Sequence, residues 1–185
     1  MRNFYHKNDG VALAISLMVV TVIIIISAIY VSRAVFEKAM ADREIRSAKS
    51  FYASEGGANA GLNQLDTLIN TNLLNTVNGT DLTVLASQAA SYVTNHNGLG
   101  FLVAYTKSGG VAQFTQSGTQ AIYNGVSTAI NSTSAYLYSI VITAKGNPVT
   151  VSANVWDFPY YYQIRSTGSD GSQARKNTLN GDFTV

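Results

Sequence analysis

The side chains able to perform acid–base chemistry are few and scattered along the chain. A serine hydrolase needs a histidine to take the serine proton and a carboxylate to orient that histidine. The sequence has two histidines, His6 and His96. His6 precedes a long apolar run, and His96 lies in the motif NHNG at 95–98, which is typical of an exposed helix end. A G-x-S-x-G motif is absent from the sequence. We therefore predict that the chain is not an enzyme.

Metal ligands are also sparse in the sequence. The chain has no cysteine, so it can form neither a thiolate zinc site nor a disulfide. Calcium binding and paired-carboxylate catalysis need acids that lie close together. Beyond residue 57 the acids are isolated, and most fall in predicted turns: Asp66, Asp81, Asp157, Asp170 and Asp182. We expect no metal site and no cofactor.

The charge content argues against a nucleic-acid partner. Charged residues make up 12% of the chain, about half the usual share, and the net charge is only +2. Nucleic-acid binding draws most of its free energy from neutralising phosphates with Lys and Arg. We therefore expect no nucleic-acid partner.

The elements that must position any functional group begin with residues 11–32, VALAISLMVVTVIIIISAIYVS. This run has no charge, no proline and no glycine. As a helix it would span roughly 33 Å, against about 30 Å for the hydrocarbon core of a bilayer. A cleaved secretory signal has a shorter apolar core, of roughly 7–15 residues. We predict a membrane-spanning helix, and Arg2 and Lys7 before it predict a single pass with a cytoplasmic N-terminus and export of the rest of the chain.

Residues 33–69 are predicted to continue this helix and to pack on a globular domain. Apolar residues recur there at spacings of three and four, so they share one face. The predicted packing residues on and beside this face are Phe51, Tyr52, Glu55, Ala58, Leu62, Leu65 and Ile69. A chain that is apolar along one face needs a sheet or neighbouring helices to cover it.

Residues 70–185 are predicted to form an extracytoplasmic α+β domain. A loop over residues 70–79 leads to a short helix capped by Thr80 or Asp81 and ended by residues 95–98. Three hairpins follow, pairing 101–106 with 111–115, 135–144 with 148–155, and 160–167 with 173–179. Sequential hairpins predict an antiparallel meander, with the long helix covering its apolar face.

Three segments of the chain resemble type IV pilin-like proteins, and more narrowly the PilX-type minor pilins of the PilX N-terminal family. The leader MRNFYHKNDG (residues 1–10) directly before VALAISL is similar to a prepilin-peptidase site, with cleavage between Gly10 and Val11. Residues 37–57, ending in FYASEGG, resemble the family's helical continuation. Residues 162–175 are similar to the closing hairpin of such subunits.

Two features depart from the major pilins. Major pilins carry a glutamate five residues into the mature chain, whereas this chain has Ile15. An acid there would pair with a neighbour's terminal amine inside an apolar core, where an unpaired charge is costly. The resemblance with Ile15 therefore implies a minor or tip-proximal subunit. The lack of cysteine removes the disulfide that closes the C-terminal region of many pilins.

The resemblance implies a non-enzymatic filament subunit that supports assembly or adhesion. Its implied partners are a prepilin peptidase, inner-membrane lipid and other pilin subunits, and its implied final location is a cell-surface pilus or a secretion pseudopilus. The implied filament-core residues are Val11, Ala12, Leu13, Ala14, Ile15, Ser16 and Leu17. The alternative is a single-pass anchored binding module that does not assemble, with carbohydrate or peptide contacts at Trp156, Tyr160, Tyr161 and Tyr162.

Overall fold

The computed structural model describes residues 6–125, 127–153 and 155–185, with side chains described from residue 10 onward. Residues 1–5, the first half of the predicted leader, lie outside the described residues. The chain divides into two compact units, Met1–Ile45 and Arg46–Val185.

The first unit consists of the beginning of a long helix, α1, which runs from His6 to Asp66. Its backbone is regular because residues 11–55 contain neither proline nor glycine. Every residue from 10 to 45 is exposed within the chain. The predicted long apolar helix is therefore confirmed, and it is followed by an antiparallel sheet domain in the predicted α+β layout.

The second unit begins with a helical stretch that is longer than predicted. After α1 come a π-helical segment, Thr67–Leu73, and α2, Leu74–Asn78, so the predicted loop over residues 70–79 is wrong. Leu68 and Leu73 are both buried, although five residues separate them. An α-helix would place such residues roughly 140° apart, whereas the i→i+5 bonds of a π-helix bring them to one face. Burial of both leucines accounts for the π-helical segment.

Two further helices follow. Asp81 caps α3, Leu82–Thr94, by accepting a hydrogen bond of 2.8 Å from the Thr83 backbone N–H, as predicted. Hydrogen bonds from Thr83 hold the pKa of Asp81 below its usual value. Helix α4, Gly98–Tyr105, replaces the predicted strand over residues 101–106, and Asn97 caps it through the Gly100 N–H at 2.8 Å. The FLVAY run buries residues at helical spacing, and such a short apolar run fits either element.

The remaining elements are antiparallel strands. They are β1 (Lys107–Ser108), β2 (Val111–Ala112), β3 (Thr115–Ser117), β4 (Gln120–Asn124), β5 (Thr128–Ala129), β6 (Ser134–Ala144), β7 (Val149–Ser152), β8 (Val155–Asp157), β9 (Pro159–Asp170) and β10 (Gln173–Thr184). Among the described residues, the main sheet has the order β10-β9-β6-β4-β3, and β5 also pairs with β6. The pairs β1–β2 and β7–β8 form separate hairpins.

The structure confirms one of the three predicted hairpins and differs from the other two. The last is confirmed: β9 and β10 pair along 12 residues each, around a turn in which Gly171 takes φ +58°. The second is wrong in its pairing, because β6 pairs with β4 and β9 while β7 pairs with β8. The first is replaced by the short β1–β2 hairpin around Gly109 and Gly110, both at positive φ.

Small residues let α1 approach the sheet closely within the second unit. The small buried residues on this part of α1 are Ser50, Ala53, Ser54, Gly57, Ala58 and Gly61. A Cβ on Gly61 would lie 2.5 Å from Ile164 Cγ2, and one on Gly57 would overlap Ser166 Oγ. On the sheet side, a Cβ on Gly168 would overlap backbone atoms of α1. The helix–sheet distance therefore depends on glycine on both surfaces.

This contact corrects the predicted packing face. Phe51 is 48% exposed, Tyr52 69% and Leu62 38%, so the sheet does not bury these three. The smaller residues beside them take that place because only they allow close approach. Ala58 and Leu65 are buried, and Glu55 and Ile69 are half-buried.

The core lies between α1, α4 and the sheet. It contains Leu65, Leu68, Leu102, Ile140 and Ile164 among others. Phe101 of α4 stacks on Phe158 with ring centroids 4.2 Å apart. The Tyr160 hydroxyl donates to the Gly98 carbonyl at 2.5 Å, and burial raises the pKa of Tyr160. These contacts tie α4 to β9 and its entry loop.

Two neighbouring glycines of α1 test the close contact. We expect Gly57→Ala to destabilise the second unit by about 1–3 kcal/mol, because its methyl group would overlap Ser166. Gly56→Ala is the matched control: nothing lies within 4 Å of its added Cβ, so it should stabilise the helix by about 0.5–1 kcal/mol. Urea unfolding of the full chain in detergent, followed by the fluorescence of the single tryptophan, Trp156, measures both. Equal effects of the two substitutions would contradict the described helix–sheet distance.

Candidate functional site

The main functional candidate is the apolar part of α1 in the first unit. This helix is long and apolar enough to cross a membrane. Its large side chains are exposed on every side: Leu13 is 74% exposed, Leu17 70% and Met18 73%. Apolar surface of this extent is unfavourable in water, so it needs to be buried in lipid or against another protein chain.

The hydroxyl groups in this helix are hydrogen-bonded to its own backbone. Ser16 Oγ donates to the Ala12 carbonyl at 2.9 Å, and Thr21 Oγ1 donates to the Leu17 carbonyl at 2.7 Å. In a hydrocarbon layer there is no water to satisfy polar groups, so internal bonding of this kind is required. These two hydroxyls therefore do not oppose insertion into lipid.

The predicted filament-core residues lie at the beginning of this helix. Each residue from 11 to 17 is exposed, including Ile15 at 58%. These residues therefore remain available to lipid or to another chain. The helix carries no charge between residues 11 and 32, so no ion pair is needed to bury it.

Gly10, the predicted residue before the cleavage point, lies inside α1. A Cβ added there would meet nothing within 4 Å. Glycine costs about 1 kcal/mol relative to alanine inside a helix. Nothing in the described structure therefore explains glycine at this position.

The second unit does not assemble the aromatic surface considered from the sequence. Tyr160 is fully buried, whereas its neighbour Tyr161 is 51% exposed. Successive residues of a strand point to opposite faces, so these rings cannot form one platform. The predicted contact surface at Trp156 and residues 160–162 is wrong.

Several titratable side chains of the second unit lie in turns or form hydrogen bonds and ion pairs within the fold. His96 lies exposed in the turn between α3 and α4, with φ 52°. Asp170 accepts a hydrogen bond of 2.6 Å from Ser134 Oγ, which lowers the pKa of Asp170. Lys145 pairs with Asp182, and Arg175 Nη2 donates to Ser47 Oγ at 2.9 Å. Within the described residues, no three side chains of His, Asp or Glu are grouped to hold a metal ion.

Comparisons of the chain with protein-family models, with curated proteins and with solved structures give no match. The pilin-like resemblance therefore rests on the sequence segments described above. The structure shows the long apolar helix and the exposure of its apolar side chains.

A charge placed in the middle of the apolar helix tests whether it inserts into membranes. We expect Ile24→Asp to cost about 3–4 kcal/mol of insertion free energy and to move the protein out of the membrane fraction that resists alkaline carbonate extraction. Leu82→Asp is the matched control, because Leu82 is an apolar residue of the second unit that is 79% exposed. If the fraction of Ile24→Asp that resists carbonate extraction equals that of the wild type, a membrane-spanning role is contradicted.

Proposed function

We propose that the chain is a non-enzymatic minor subunit of a type IV pilus or a related filament. Residues 11–32 anchor it in the inner membrane, with its N-terminus in the cytoplasm. After a prepilin peptidase removes residues 1–10, the same helix enters a filament core. The observation that carries this proposal is the uncharged helix whose apolar side chains are exposed on all sides.

The composition of the helix supports assembly with other helices. Lipid is as apolar as leucine, so helices in a membrane associate through close packing, which small residues permit. Ala12, Ala14 and Ser16 supply such residues near the N-terminal end, and Ser27 near the other. Once outside lipid, each Leu or Ile buried between helices contributes about 1.5–3 kcal/mol. Apolar burial therefore holds an extracted helix in the filament rather than leaving it exposed to water.

Gly10 supports the proposed processing step. The described fold has no need for glycine at this position, and a protease that recognises a small residue would supply the missing reason. Ile15 fits the proposal of a minor subunit, because an uncharged side chain needs no partner amine in the filament core.

The alternative is an anchored binding module that stays dispersed in the bilayer. The same exposed helix supports it, since lipid alone can cover the apolar side chains. This alternative predicts that residues 1–10 remain on the mature protein and that no helix-mediated assembly occurs.

Replacing the predicted cleavage residue separates the two functions. We expect wild-type protein from its native membrane to begin at Val11. Gly10→Phe should retain the leader, stay in the membrane fraction and be missing from sheared filaments. Intact-mass measurement of each fraction reports both results.

Gly146→Phe is the matched control. It puts the same side chain on a glycine that also has open space around it, but in the second unit. This variant should be processed like the wild type. A mature wild-type chain that keeps residues 1–10, or normal processing of Gly10→Phe, would reject the proposed function.

A further inference from the structure

The second unit contains a polar cleft that the filament role does not use. It lies between α2, α3, the end of α4 and β1, and its volume is about 550 Å³. Small-molecule sites typically have volumes of about 300–1,000 Å³. Its polar lining comes from Thr76, Thr80, Gln88, Ser91, Tyr105 and Lys107. The cleft is therefore large enough for a molecule the size of a monosaccharide.

The lining offers both hydrogen-bond donors and acceptors. The Tyr105 hydroxyl donates to Gln88 Oε1, which orients the amide and leaves its N–H groups for a ligand. Thr76 Oγ1 donates to the Asn72 carbonyl at 2.9 Å, so its lone pairs remain as acceptors. Thr80 Oγ1 donates to the Thr76 carbonyl at 2.7 Å in the same way.

Ser91 adds a donor on the α3 side of the cleft. Its Oγ accepts from Asn95 Nδ2 at 3.3 Å, which leaves the hydroxyl hydrogen for a ligand. A sugar hydroxyl both donates and accepts hydrogen bonds, so a lining with both donors and acceptors matches a ligand rich in hydroxyls. The lining thus favours a polyol over an apolar molecule.

Lys107 adds a positive charge to the cleft. This lysine is half-buried, and none of the described residues that line the cleft carries a carboxylate. Lys145 shows the contrast, because it pairs with Asp182. Within the described part of the chain, no carboxylate lies within ion-pair distance of the Lys107 ammonium. A ligand carboxylate would provide the missing partner.

We propose that this cleft binds a small hydroxyl-rich molecule that carries one carboxylate, the chemistry of an acidic monosaccharide. Lys107 binds the carboxylate, while Gln88, Ser91 and the two threonines bind hydroxyl groups. Every residue named lies within the second unit, Arg46–Val185.

Titration of the full chain in detergent micelles with three probes tests this site. The probes are D-glucuronate, D-glucose and acetate, followed by saturation-transfer NMR. We expect glucuronate to bind about tenfold or more tightly than either other probe, because a hydrogen bond to a charged group contributes about 1.5–3 kcal/mol. Equal binding of acetate would show an anion site without hydroxyl recognition, and equal binding of glucose would show that Lys107 plays no part. Either result would overturn the proposal.

Variants at Lys107 assign the effect to its charge. Lys107→Gln should lower glucuronate affinity about tenfold, to the level of glucose, and Lys107→Arg should keep the preference for glucuronate. Lys176→Gln, at an exposed lysine of β10, is the matched control and should bind like the wild type. Unfolding curves for each variant exclude loss of the fold as the cause. Unchanged glucuronate binding by Lys107→Gln, or no glucuronate binding by the folded wild type in the millimolar range, would contradict the proposal.

Discussion

A helix that exposes apolar side chains on all sides is stable only where water is excluded. Residues 11–32 contain 13 Val, Ile and Leu residues and no charge. Leaving these side chains in water forgoes on the order of 20 kcal/mol of burial free energy. The backbone and the Ser16 and Thr21 hydroxyls are satisfied within the helix, so lipid or neighbouring helices can cover it without an unpaired polar group. This requirement connects the sequence to the proposed functions of anchoring and assembly.

The same helix meets a different constraint in the second unit. Most of its buried residues there are small, and Gly168 and Ser166 lie opposite them on the sheet. The π-helical segment then keeps Leu68 and Leu73 on the buried face. The helical turns that follow carry Thr76 and Thr80 into the polar cleft, beside α3 and α4. Close helix–sheet packing thus sets the position of the helices that line the proposed ligand site.

Local signals in the sequence predicted part of this fold. The apolar run, the Asp81 cap and the β9–β10 hairpin each depend on neighbouring residues, and each was found in the structure. The strand predicted over residues 101–106 is wrong because FLVAYT fits strand or helix, and the Asn97 cap before it favours the helix. Small residues at spacings of four, three and four (Ser50, Ser54, Gly57 and Gly61) mark the buried face, whereas the prediction rests on large apolar residues. The pairing of β6 with β9 and the polar cleft join distant segments, which no local pattern in one sequence specifies.

The central claim is that the N-terminal helix leaves lipid and packs against other helices. A photo-crosslinking amino acid at position 17, where Leu17 is 70% exposed, reports the neighbours of this helix directly in native cells. We expect adducts with pilin-sized proteins in the sheared-filament fraction and lipid adducts in the membrane fraction. Lipid adducts alone, with no protein partner in any fraction, would contradict it.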